Sequence, residues 1–208
     1  STFYSLSFSA GGYLSSQPGD VLILQADFLN ASVLNTLWNT AGAELSFQTG
    51  PSHTMTVAGA DLGPSYFGYL QNFAFGTLRL APGQSLLLAD GNATAGAAFY
   101  TQKLILEGGL AQIAAITGNG CNVYYDPTDP ANAYLGGQTF PLFRGGAIMP
   151  VQAVVQVLHI ARPNPGRVQL TCLGVPGRTN YIDASPDLAT RSFTVIGSVP
   201  VDATGQFV

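Results

Sequence analysis

Apolar and polar positions alternate along most of the chain, the spacing of strands whose two faces meet different surroundings. Such runs occupy residues 3–8, 21–26, 44–47, 53–58, 76–80, 85–89, 103–107, 112–117 and 122–125. Further runs follow at 154–160, 167–173, 179–184 and 193–199. Turn-forming clusters separate them: PGD at 18–20, TGPS at 49–52, APGQ at 81–84, DGN at 90–92, EGG at 107–109 and GNG at 118–120. Gly and Asn supply the backbone angles that tight turns need, and Pro presets one of them. Only residues 31–40 carry a helical spacing, with Leu34, Leu37 and Trp38 on one side. Many short strands with regular turns predict an all-β protein. The stretches 75–91 and 103–126 repeat a strand–turn–strand scheme without a fixed period. That suits a β-solenoid or a β-sandwich.

The chain divides near residue 150. Residues 1–12 read as an N-terminal strand or arm, 13–150 as the solenoid or sandwich, and 151–208 as a small fibronectin-like sandwich, incomplete at its end. In the arm, Tyr4, Leu6 and Phe8 alternate with Ser5 and Ser7, and Ala10-Gly11-Gly12 forms a flexible joint. Phe3, Tyr4, Leu6 and Phe8 therefore mark a strand that a neighbouring subunit could take up by strand addition. The other reading is an ordinary first strand. Residues 1–150 carry a net charge of -5, and residues 151–208 one of +1, which is compatible with head-to-tail contact.

Composition narrows the setting. Charged residues are 9% of the 208, against about 25% in an average soluble domain. Lys103 is the single lysine. Ser, Thr, Asn and Gln carry the polar surface instead, and such a surface suits close packing between copies. The net charge of -4 argues against a nucleic-acid or anionic-membrane partner. No stretch of eighteen apolar residues predicts a bilayer span. The opening STFYSLSFSAGGYL lacks the basic start and apolar segment of a signal peptide, which fits a mature secreted chain or a trimmed one.

Candidate chemistry is sparse. Cys121 and Cys172 could close one disulfide between the middle and the end of the chain, or remain two buried thiols. His53 and His159 lie in strand-like runs, a structural setting. No nucleophile elbow, phosphate loop, zinc cluster or dinucleotide fingerprint occurs. Most carboxylates stand in turns, where Asp caps the backbone, so glycan cleavage by a carboxylate pair is not expected. Arg79 and Lys103 are the basic side chains that a lyase would need. Neither a catalytic site nor a cofactor is expected, and the chain reads as a non-enzyme. One metal candidate stands out: DPTDPAN at 126–132 offers Asp126, Asp129 and Asn132 as hard oxygen donors for calcium. A plain turn is its competing reading. Sequons occur at Asn30 and Asn92. Aromatics gather at Tyr66, Phe67, Tyr69, Phe73 and Phe75, and again at Tyr124, Tyr125 and Tyr134. Exposed, they would bind sugars or glue an interface; buried, they are core.

Several long phrases carry a resemblance. NFAFGTLRLAPGQSLLLADG (72–91), AAFYTQKLILEGGLAQIAAITGNGCNVYYD (97–126) and NAYLGGQTFPLFRGGAIMPV (132–151), with LWNTAGAELSF (37–47), form one pattern. GRVQLTCLGVPGRTNYIDASPDLATRSFTVIGSVPVDATGQF (166–207) forms another. They resemble secreted β-rich surface proteins of Verrucomicrobia-like and Planctomycete-like bacteria, of the PEP-CTERM-anchored, autotransporter-like kind. The second stretch resembles the fibronectin-like sandwich that closes such chains. The resemblance implies an extracellular or cell-surface protein and no particular chemistry. Its pattern usually runs on past the equivalent of Gln206-Phe207, which leaves the terminal sandwich an open edge. The expected function is a structural subunit of an extracellular filament, sheath or surface layer, a homopolymer built by subunit packing and strand complementation. The alternative is a carbohydrate-binding or adhesion module whose partner is a glycan.

Overall fold

The computed structural model describes residues 1–50, 52–70, 72–152, 156–161, 169–173, 179–184, 194–200 and 206–207. The chain forms two compact units, Ser1–Gln152 and Ala153–Val208.

Unit 1 contains thirteen described strands. They are β1 (Thr2–Phe3), β2 (Leu6–Phe8), β3 (Val21–Leu24), β4 (Phe28–Asn30), β5 (Thr40–Phe47), β6 (Ser52–Val57) and β7 (Phe75–Leu80). β8 (Ser85–Asp90), β9 (Ala98–Leu106), β10 (Ile116–Thr117), β11 (Asn122–Tyr125), β12 (Phe140–Pro141) and β13 (Ala147–Pro150) complete it. Through β10 the chain lays successive strands alternately in two sheets. The first runs β1-β3-β5-β7-β9-β11-β13-β12 and the second β10-β8-β6-β4-β2. All pairs are parallel except β12 with β13. The chain thus winds as a two-layer coil. Partners one turn apart are Thr2 and Ile23 in the shortest turn, 21 residues on, and Thr40 and Phe75 in the longest, 35 residues on.

Parallel stacking converts the alternation of each strand into continuous apolar rows. Leu22, Leu45, Leu78 and Leu104 stand in register, as do Leu24, Phe47, Leu80 and Leu106. Phe28, Met55 and Leu88 form the matching row of the second sheet. All of these are buried. Each such side chain contributes roughly 1.5–3 kcal/mol by leaving water. At one end of the core, Phe8, Phe28, Trp38, Phe73, Phe75 and Phe99 interlock, mostly edge to face.

The described strands of unit 2 are antiparallel. β14 (Gln156–Ala161), β15 (Gln169–Leu173) and β18 (Gln206–Phe207) form one sheet, and β16 (Thr179–Ala184) pairs with β17 (Thr194–Pro200). Cys172, Leu170 and Val199 pack together.

This architecture corrects the expected fold class, all-β with a solenoid or sandwich followed by a fibronectin-like sandwich. The two large sheets are mostly parallel and take their strands in alternation, traits of α/β folds rather than of an antiparallel sandwich. Short 3-10 turns stand where an α/β protein carries helices. In unit 2 the described strands form a three-stranded and a two-stranded sheet. Two local expectations change as well. Residues 31–40 hold only the 3-10 turn Asn35–Leu37. Residues 112–117 begin in the 3-10 turn Leu110–Ala115, because the Gln112 side chain turns back to bond Gly108 N and Ala81 O.

Candidate functional site

The buried polar side chains of unit 1 bond mainly to backbone on neighbouring turns of the coil. The densest group surrounds the upper half of β9. There β9 pairs with β7 from Thr101 to Leu106, whereas β11 stops opposite Thr101. The uncovered edge is completed by side chains of the 3-10 turn Pro130–Leu135. Asn132 Oδ1 accepts from Leu104 N (2.9 Å), and its Nδ2 donates to Gln102 O and Asp126 O (2.7 Å each). The Tyr134 hydroxyl donates to Leu104 O (2.8 Å) and accepts from Leu106 N (3.2 Å). Two side chains thereby stand in for a strand. The turn forms here because Asp129 caps it through Ala131 N, Pro130 begins it, and Gly136 ends it with a φ of 60°.

These residues are the expected calcium loop. The fold does bring Asp126, Asp129 and Asn132 together, but as a hydrogen-bonded turn. Asp126 Oδ1 accepts from Tyr66 Oη (2.8 Å), Thr128 N (2.8 Å) and Thr128 Oγ1 (2.6 Å). The Asn132 carbonyl faces a backbone N–H. Among the described residues no group of three or more His, Cys, Asp and Glu side chains could hold a metal ion.

A second group lies on the outer side of the first sheet. Residues 59–70 leave the coil between β6 and β7 and cross this face as a strap. Asn72 staples its base, with Oδ1 accepting from Ala60 N (2.9 Å) and Nδ2 donating to Ala60 O (3.0 Å). The next residue, Phe73, has a φ of 59°, a sterically costly angle for an aromatic residue. The strap brings Tyr66 and Tyr69 to Tyr100 and Tyr124, whose rings stack at 4.6 Å. Tyr69 Oη donates to Thr101 O, Tyr100 Oη to Gly63 O, and Tyr124 Oη to Asp61 Oδ1. Gly68 lies flat against the Tyr100 ring, where a Cβ would collide with three ring atoms.

All four tyrosines are buried, which removes them as a sugar-stacking platform. Burial is also the main cause that pushes Tyr69, Tyr100 and Tyr124 above the usual phenol range; Asp126 adds to it for Tyr69, and Asp61 for Tyr124. The folded state therefore keeps protons that the unfolded chain releases near pH 10. The stability these phenols contribute is whole below about pH 10 and falls as pH rises through the folded values. A phenolate absorbance titration is expected to show a late step, displaced above the usual phenol range near pH 10. Independent ionisation of every tyrosine near pH 10 would contradict it.

The remaining candidates are structural or apart. Phe3 stands on β1, and Leu6 and Phe8 on β2; these strands pair with β3 and β4 of their own chain. Tyr4 joins the two strands and is 76% exposed. The two cysteines expected to form a staple are free, buried thiols, Cys121 in unit 1 and Cys172 in unit 2. Burial pushes the Cys121 thiol up to about 11. His53 bridges Ala26 O (2.7 Å) and the Gln84 amide (2.9 Å), and its ring packs on Phe47. His159 lies on β14, where its side chain is outside the described residues. Arg79 pairs with Glu44 (2.6 Å) and Glu107 (2.9 Å), one turn to each side. Lys103 is exposed on β9, in register with Thr77. Both sequon asparagines are engaged: Asn30 Oδ1 accepts from Ser32 N, and Asn92 Nδ2, the atom a glycan would take, donates to Ser32 O and Ala58 O. Gly68, Asn72 and Gln112 carry bonds or contacts that no sequence pattern singled out. No protein-family model, curated protein or solved structure matches the chain.

Proposed function

We propose that the chain is a structural subunit of an extracellular filament, sheath or surface layer, related to the secreted β-rich surface proteins that it resembles. The observation that carries this reading is the use of the buried polar groups. Asn132, Gln112, Asn72, His53 and Asp126 join one turn of the coil to another or hold its strap. A chain built this way gains rigidity along the stack and offers long, sparsely charged outer faces to other copies. With β1 and β2 engaged in the first turn, contacts between subunits fall on those faces. The glycan-binding alternative called for exposed tyrosines in a groove, and Tyr66, Tyr69, Tyr100 and Tyr124 are buried. No helix among the described residues is long and apolar enough to cross a membrane.

The test is electron microscopy of the full chain, with light scattering across a dilution series. Regular fibres or sheets that persist on dilution are expected. A monodisperse particle of 21.6 kDa would overturn the proposal; glycan arrays would then test the adhesion reading.

A further inference from the structure

Unit 1 ends in contact with its own strap. After β13, Val151 N donates to Tyr125 O (2.9 Å), a continuation of the sheet. Gln152, the last residue of the unit, leaves that ladder. Its N–H donates to Pro64 O (2.7 Å), and it forms a parallel bridge with Ser65. The final backbone contact before unit 2 is therefore made with the strap.

We infer that residues 59–70 are a clasp on this exit: docked on the first sheet they hold Gln152, and undocked they release it while the coil stays folded. Three features make the strap separable. It lies on the outer side of the first sheet, away from the leucine and phenylalanine rows that face the core. Most of its anchors are phenol and backbone hydrogen bonds, from Tyr66 to Asp126, from Tyr69 to Thr101, and from Leu62 and Gly63 to the Tyr100 hydroxyl. Its two ends meet at the Asn72 staple, the construction of a compact surface loop with adjoining ends. Near the middle of the strap Gly68 lies against the Tyr100 ring, four residues from Pro64, which receives Gln152. The inference stands whether or not the chain polymerises.

Hydrogen–deuterium exchange of the whole chain tests it, comparing the parent with Gly68→Ala and with the milder Tyr66→Phe, which removes the bond to Asp126. In Gly68→Ala, amides of residues 59–70 and those of Val151 and Gln152 are expected to exchange together at least about tenfold faster, with β3 to β8 unchanged. Tyr66→Phe should move the same two segments by a smaller factor. A strap that loosens while Val151 and Gln152 stay protected would overturn the clasp. Faster exchange across β3 to β8 would also overturn it, because the strap would then be part of the core. So would an unchanged strap in Gly68→Ala, since docking would not rest on that contact.

Discussion

Replacing Asn132 by Ala is expected to lower the unfolding free energy by about 3–5 kcal/mol. The residue is 1% exposed and serves three backbone groups: Leu104 N–H, Gln102 O and Asp126 O. Leu104 N–H would be left buried without its partner, a loss of about 1–3 kcal/mol. Gln102 O and Asp126 O would keep only long bonds from Asp126 N and Asp129 N (3.3 Å each), and each loses a bond contributing about 0.5–1.5 kcal/mol. Water admitted to the gap offsets part of that sum. Against a total stability of about 5–15 kcal/mol, the change is large. Asn132→Asp should be comparably harmful, because its carboxylate would face two carbonyl oxygens in place of the amide donor. Tyr134→Phe should lose less, as it leaves Leu104 O and Leu106 N to be met by solvent on a partly buried edge. Urea denaturation followed by Trp38 fluorescence gives all three values. A loss under about 1 kcal/mol for Asn132→Ala would mean that β9 does not depend on its side-chain cover.

The second large effect is expected at Phe75. Its ring is fully buried and stands 5.7 Å from Phe28, 6.4 Å from Trp38 and 6.0 Å from Phe99. Truncation to Ala removes contacts with both sheets at once and should cost about 3–5 kcal/mol. For a protein of this size the melting temperature should fall by roughly 10 °C. Phe75→Leu keeps most of the volume and should lose about 1–2 kcal/mol. Scanning calorimetry measures both, and Trp38 emission should shift to the red in the Ala variant as the cluster opens. A near-normal melting temperature would show that neighbouring rings close the gap.

Strand positions were legible because half-buried strands alternate by necessity. The runs 85–89 and 122–125 fall on β8 (Ser85–Asp90) and β11 (Asn122–Tyr125). Pairing was not. The turn at 81–84 reads as a link between two strands, and the strands it joins, β7 and β8, lie in different sheets. The true partner of most strands lies one variable turn away, and a period that shifts between 21 and 35 residues leaves no repeat to detect. Around Asn132, the starting Asp129-Pro130 and the closing Gly136 are readable signals for a short helical turn. The oxygen donors alone suggest calcium. What decides between the readings is that β9 presents an unpaired edge about thirty residues back, which no local pattern announces. The two aromatic groups around Tyr66 and Tyr124 were equally visible. That they meet across the strap depends on an excursion of the backbone that only the fold reveals.

The uneven turns of the coil also bear on how the chain folds. Closing a turn of 35 residues rather than 21 adds only about 0.5 kcal/mol of chain entropy. The turn that carries the strap can therefore close almost as readily as the shortest one. No turn is strongly favoured as a nucleus on entropic grounds, and each zips onto its neighbour alone. Folding of the coil is accordingly a one-dimensional propagation that can start at several places and spread in both directions.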